Sequence, residues 1–282
     1  MVDGQPTLIV RPSSFFLFSL LFLLPPLFAF RVDPYFTDLG EFHLSTSYTY
    51  RTYPVIEGIK EGASYHSGDR LGKMALRVMF WPNWEGAVDL DLAKTTHLGF
   101  GVERTGIQVR RLLLDDIVGD PFSLAVGGQL FFVPTGRLQD PSTPYHAREN
   151  IEIGISAGKE IDRFDRFRFR LFAFCGVGRG RCGSPWFRLK KAIGGKIGNA
   201  QRWGLFGEGL FGTGDEQRID PDRFRGYGNI AHRSVDLGVE YGYLFGTWGS
   251  LHVKYAYRVY VHAFPGRASL LQCEYRLPFS VL

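Results

Sequence analysis

Leu251-His252-Val253-Lys254-Tyr255-Ala256-Tyr257-Arg258-Val259-Tyr260-Val261 divides cleanly into two sets. Leu251, Val253, Tyr255, Tyr257, Val259 and Val261 fall on one side, and His252, Lys254, Ala256, Arg258 and Tyr260 on the other. A β-strand presents successive side chains to opposite faces, so this period of two places the segment between an apolar and a polar environment. The stretches on either side repeat the pattern. Val235, Leu237, Val239, Tyr241, Tyr243 and Phe245 oppose Asp236, Gly238, Glu240 and Gly242. Leu271, Cys273, Tyr275, Leu277, Phe279 and Val281 oppose Gln272, Glu274, Arg276 and Ser280.

Twelve such strands are predicted: 40–52, 73–81, 85–95, 100–113, 121–133, 149–160, 165–176, 185–195, 201–212, 231–245, 249–262 and 268–281. The eighth has a weak pattern, because Lys190 and Lys191 are adjacent. Long connections at 53–72, 134–148, 177–184 and 213–230 largely alternate with short ones at 82–84, 161–164, 196–200 and 246–248. Short turns at one end and longer loops at the other are the signature of a membrane barrel, and an even strand count returns both termini to one side. The connections 96–99 and 263–267 depart from the alternation by being short. Unpaired backbone groups are costly in lipid, and only a closed sheet leaves none, so the fold class expected is an all-β, twelve-stranded transmembrane antiparallel barrel. Gly127, Gly128, Gly204, Gly207, Gly209, Gly238 and Gly242 lie within strands, where they permit curvature or relieve a crowded interior. A soluble sandwich or small secreted barrel would turn its apolar face inward; the many aromatic residues on these faces fit lipid better. Tyr48, Tyr50, Trp81, Trp84, Trp203, Tyr243, Trp248 and Tyr275 lie near strand ends, as interfacial aromatic girdles do.

The chain has 282 residues, of which 45% are hydrophobic and 15% aromatic, a mix that favours strands over helices. The formal charge is +5, but the basic residues are dispersed. The tightest series, Arg166, Arg168 and Arg170, alternates with Phe167 and Phe169 at strand spacing, which a polar strand face explains more simply than a nucleic-acid groove. Residues 15–24 form an apolar run between Arg11 and Pro25, too short for a comfortable membrane helix, with Ala29 as a small residue for cleavage. Residues 1–29 are therefore expected to be a signal peptide and 30–282 the barrel with its outer loops. Three cysteines are too few for a disulfide framework; Cys175 and Cys182 are spaced so that a bridge is one possibility, leaving Cys273 single. No Gly-rich phosphate cradle, metal-spaced cluster or heptad run occurs, so no cofactor or metal is expected.

With its alternating strands, its apolar leader and an end reading Tyr275-Arg276-Leu277-Pro278-Phe279-Ser280-Val281-Leu282, the chain resembles bacterial outer-membrane β-barrel proteins over residues 40–282. In that group the last strand commonly ends in an aromatic residue that serves as an assembly signal. Here the end is Leu282, with Phe279 three positions earlier and Pro278 before it. The resemblance implies a place in the outer membrane, with its lipids and the barrel-assembly machinery as partners.

If the apolar side faces lipid, the polar side lines a lumen bearing Arg77, Asp89, Asp91, Arg104, Arg166, Arg168, Arg170, Asp236, Glu240, Lys254, Arg258 and Glu274, joined by Arg110, Glu152, His252 and Arg276. Asp236 and Glu240 face the strand of Lys254 and Arg258, which faces Glu274; Asp89 and Asp91 lie between strands carrying Arg77 and Arg104. Cross-strand ion pairs would brace the wall. The same charges suit a constriction that filters small solutes by sign and size. A small-solute pore is the function expected, with a structural or adhesive envelope barrel as the alternative. The charged run at 213–230 fits either an inward fold or a solvated loop.

An enzymatic alternative comes from a likeness, in size and strand number, to the outer-membrane phospholipase family, which implies lipid hydrolysis by a Ser–His pair. His232 and Ser234, two apart on one strand face, are the nearest match, with Asn229 or Asp236 to orient the base. The flanking pattern is absent: Ala231 stands where that family has Asn, and Val235-Asp236 where it has Asn-Gly.

Overall fold

A computed structural model describes residues 32–60, 65–163 and 167–280; the expected signal peptide and Arg166 lie outside them. The strands are β1 Glu41–Tyr53, β2 Val55–Ile56, β3 Ser67–Trp81, β4 Trp84–Lys94, β5 Gly101–Leu114, β6 Ser123–Phe132 and β7 Glu149–Arg163. They continue with β8 Phe167–Gly180, β9 Trp186–Ile197, β10 Gln201–Gly212, β11 Arg233–Leu244, β12 Ser250–His262, β13 Pro265–Gly266 and β14 Ser269–Ser280. All but β2 and β13 form one closed antiparallel barrel in the order β1-β14-β12-β11-β10-β9-β8-β7-β6-β5-β4-β3. Twelve wall strands and their closure agree with the alternation in the sequence.

The wall is apolar on its outside. Leu205, Leu237, Val239, Val253, Tyr255, Tyr257, Ile107 and Ile153 are all exposed there, a surface that water would not tolerate at this extent. A strand of 12 residues such as β10 is ~40 Å long and, tilted by about 40°, rises ~30 Å, the thickness of a bilayer core. Trp81, Trp248 and Tyr243 stand exposed at the turn end and Tyr50 at the loop end. No helix among the described residues is long and apolar enough to cross a membrane; the spanning elements among them are the wall strands.

Two strand limits differ from expectation by four residues or more. β3 begins at Ser67 rather than 73, because Ser67-Gly68-Asp69-Arg70 reads as loop yet continues the β1 ladder to Tyr53↔Ser67. β8 runs on to Gly180, where glycines at 176, 178 and 180 hide the alternation. Gly178 is small for a reason: a Cβ there would overlap the Trp186 ring. Cys175, Cys182 and Cys273 are free and exposed. Cys175 is five residues down an extended strand from Gly180, ~16 Å at 3.3 Å per residue, too far from the Cys182 loop for a bridge.

The conventional apolar core lies in the loop-end mouth. Segment 213–232 sends Ile219, Phe224, Tyr227 and Ile230 inward to pack on Tyr53, Ile56 and Phe264, while its charges at 218, 222, 223 and 225 face solvent. β2 and β13 pair beside it. A second cluster, Phe131, Val133, Leu138, Tyr145 and Trp186, tucks segment 133–148 into the same mouth. Backbone bonds Tyr227 N–H to Tyr145 O (2.8 Å) and Gly228 N–H to His146 O (3.1 Å) tie the two segments into one cap. At the turn end, Val32–Phe36 also fold inside: Arg110 donates to Asp33 O (2.6 Å), and Tyr35 Oη donates to Leu171 O (3.0 Å).

Candidate functional site

The alternation turns the polar faces of the strands into the lumen, and cross-strand register decides which charges meet there. Lys73↔Asp91, Asp91↔Arg104, Glu208↔Lys190, Asp236↔Arg258 and Glu240↔Lys254 are direct neighbours across the ladder. The resulting contacts divide the wall into two unlike halves.

Along β1 and β3–β5 the charges are dry. Lys73 Nζ is 3.0 Å from Asp89 and 3.5 Å from Asp91, and Arg104 Nε is 2.9 Å from Asp91; Lys73 is 3% exposed and Asp91 0%. Arg104 also bonds Asp89 and lies 5.1 Å from the Phe131 ring centre. Above this quartet Arg51 binds Asp69 at 2.7 Å, and below it Arg110 binds Glu85 at 2.7 Å. Arg77, the cation expected beside Asp89, is buried but faces Ala87 in register; Lys73 takes that place. A β-bulge shifts the register between Asp91 and Leu92, so Glu103 and Arg104 both turn inward, which strict alternation hides.

Along β9–β14 water reaches part of the charged network, although Glu274 and His252 within it are buried. Arg188 Nη2 is 2.6 Å from Glu152, Lys190 is 3.2 Å from Glu208, and Arg258 grips Asp236 with both ends at 2.7 and 2.9 Å. Lys254 lies between Glu274 (3.4 Å) and Glu240 (3.7 Å), and Arg276 binds Glu274 at 2.8 Å. Glu208, Glu240 and Arg276 are 34%, 27% and 31% exposed, ten times the values opposite. Each of these five cations meets a carboxylate, so the field that they set up is local and nearly balanced in sign. Arg188 and Lys190 are members of this wall that the weak pattern of the eighth predicted strand concealed, and their partner Glu208, on the ninth, was missed with them.

Arg168 and Arg170 share Glu160 near the turn end, Arg168 Nε at 3.0 Å, and Arg170 covers the Tyr35 ring at 4.6 Å. With Val32–Phe36 seated, the space between Val32, Gln108, Arg110, Glu152, Phe174 and Arg188 shrinks to a cavity of about 20 Å³, room for one water. This segment follows directly on the expected cleavage point, and nothing in its composition marks it as a lumen occupant.

His232 and Ser234 do not form a pair. His232 Nδ1 bonds Ile230 O at 3.0 Å, its Nε2 has no hydrogen-bond partner, and its ring belongs to the cap beside Phe264. Asp236, expected as an orienting group, is held by Arg258. No group of three or more metal-ligating side chains occurs among the described residues.

Neither a protein-family model nor a curated protein sequence matches the chain significantly. Solved structures do resemble it. An outer membrane channel from Pseudomonas putida F1 superposes with a TM-score of 0.60 at 10% identity, covering 89% of this chain and 100% of that one. The NanC porin superposes with a TM-score of 0.52 at 11% identity, covering 85% of this chain and 100% of that one. At such low identity the likeness is one of fold, that of a bacterial outer-membrane β-barrel. The closed wall, the apolar exterior and this fold place the chain in the outer membrane, with the short turns and both wall termini toward the periplasm.

Proposed function

We propose that the barrel is a small-solute channel whose aqueous path follows the β9–β14 wall and which is closed at rest by its own chain at both mouths. The observation that carries this is the contrast between the two halves of the lumen, one packed and dry, the other polar and wetted. A barrel built only for support would gain from packing both halves alike. The names of the two superposed proteins, a channel and a porin, agree with this reading.

The test is conductance of the refolded mature chain in a planar bilayer. The intact chain is expected to give small, rare steps, because Val32–Phe36 and the outer cap both lie across the lumen. A variant lacking residues 32–36 is expected to conduct several-fold more per step, since it exposes Arg110 and Arg170 to water and removes the obstruction at the periplasmic mouth. Equal, negligible conductance from both folded chains would remove the channel reading.

Selectivity gives a second test. Because the paired cations and carboxylates of this wall offset one another, the intact path is expected to be weakly selective. Lys254→Ala with Arg258→Ala leaves Glu240 and Asp236 in excess while Arg276 still holds Glu274, so the reversal potential in a salt gradient is expected to move toward cation preference. A shift toward anions, or none in a conducting variant, would mean that ions do not pass along this wall.

A further inference from the structure

Ser250 opens β12 at the periplasmic rim, immediately after the turn 245–249, and His252 follows two residues on, so both face the lumen. Ser250 Oγ is 3.0 Å from His252 Nε2, and His252 Nδ1 is 2.7 Å from Glu240 Oε1 on the neighbouring strand. With Glu240 ionised, Nδ1–H donates to the carboxylate and leaves Nε2 as the acceptor of the serine hydroxyl. Nucleophile, base and orienting acid thus stand in the order that serine hydrolysis needs.

Three further features suit that chemistry. Arg276 is the register partner of Ser250 on β14. Its Nε and Nη2 bind Glu274, which leaves the Nη1 donors to meet negative charge developing beside Ser250. Gly242 lies opposite His252, and a Cβ there would come within 2.8 Å of Nδ1, so the ring occupies space that only glycine leaves. Ser250 and His252 are themselves buried, and the site meets water at its edge, through Glu240 and Arg276, where the corresponding groups on the β3–β5 side are sealed.

We infer that Ser250, His252, Glu240 and Arg276 form a serine esterase site at the inner mouth of the barrel, acting on small carboxylic esters that enter from the periplasm. Ser250 Oγ attacks the ester carbonyl carbon while its proton passes to His252 Nε2, and Arg276 faces the oxyanion. The carbon–oxygen bond to the alcohol then breaks, and the imidazolium returns its proton to the departing alkoxide. Water attacks the acyl-serine with His252 again as base, releasing the carboxylic acid and restoring the hydroxyl. Ester and water become acid and alcohol, with no other reactant. Solute passage is not required; water at the periplasmic mouth suffices.

The experiment treats the full mature barrel in detergent with a fluorophosphonate probe, locates the label by peptide mass, and follows p-nitrophenyl acetate hydrolysis. Folding is checked for each variant by the heat-dependent gel shift of an intact barrel. Label on Ser250 is expected, lost in Ser250→Ala, with Ser234→Ala unchanged. His252→Gln is expected to slow labelling and hydrolysis by about 100-fold or more, and Glu240→Gln by a smaller factor with an altered pH profile. A folded barrel whose Ser250 takes no label overturns the proposal, as does labelling that His252→Gln leaves untouched. Either result leaves the channel reading standing, because that rests on conductance.

Discussion

Asp91→Ala is expected to lower the unfolding free energy of the barrel by about 3–5 kcal/mol, the usual cost of removing one partner from a buried ion pair. Asp91 has no solvent contact and serves two cations, Lys73 and Arg104. Without it, Asp89 alone faces both, and a positive charge is left in a sealed part of the wall. Desolvation makes that charge expensive, and Phe131 over Arg104 offers only partial relief. The measurement is urea unfolding in detergent micelles, with tryptophan fluorescence and the gel shift as paired probes. Replacing Asp91 by Leu and Lys73 by Met together is expected to cost less than the sum of the single changes, because the apolar pair needs no solvation. A loss below about 1 kcal/mol for Asp91→Ala would mean that water reaches the quartet. The dry half would then no longer be scaffold, and the path proposed along β9–β14 would lose its contrast.

The quartet also marks how far the chain could be read before its structure. Strand number, closure and orientation were legible because lipid on one side and charge on the other impose a period of two along every wall strand. That period put Asp89, Asp91, Arg104, Asp236, Glu240, Lys254, Arg258 and Glu274, with Arg77, Arg166, Arg168 and Arg170, on the face expected to turn inward. Lys73 shares the face of Arg77 by the same period, but that Lys73 and not Arg77 meets the aspartates depends on the β3–β4 register, which alternation leaves undetermined. Glu103 was hidden for a different reason: a bulge breaks the period locally. The Ser250–His252–Glu240 chain needs the registers of β11, β12 and β14 at once, whereas His232 and Ser234 attracted notice only by closeness in sequence. The two closures were least legible. Segments 133–148 and 213–232 carry charges that suggest solvent, and their buried Tyr145, Tyr227, Phe224 and Ile219 have no period to betray them. What seats them is contact with one another, which no local pattern encodes.

That cap is expected to loosen in acid. His146 on segment 133–148 stacks on Trp186 of β9 at 3.9 Å, and its ring centre lies 4.9 Å from that of His232 on segment 213–232. Neither Nε2 has a hydrogen-bond partner, so neither ring has an acceptor there for a second proton. Burial holds His232 down at about 4; the Ile230 carbonyl partly offsets this, and Arg258, the charged group facing it from β12, pushes it lower. Burial, and then His232 itself, hold His146 well below the ordinary histidine value. The remaining faces of the cluster are Tyr227, Phe264 and Trp186, none of them charged. A histidine whose pKa is depressed in the closed cap costs nothing above the ordinary value of about 6.5. As pH falls from there toward 4, the opened cap binds protons that the closed cap refuses, and closure weakens. At pH 4.5, His232 alone is expected to shift the balance toward opening by roughly 2–3 kcal/mol, on the order of 100-fold, and His146 adds to it. Lowering the outer-side pH from 7.5 to 4.5 is therefore expected to raise open probability steeply in single-channel records, and to expose segment 213–232 to protease. In His146→Phe with His232→Phe, which keeps the aromatic packing and removes both titrations, the steep part of that response is expected to vanish. A response of equal size in the double variant would assign the acid effect to the lumen carboxylates, and the histidines would then be packing groups of the cap alone.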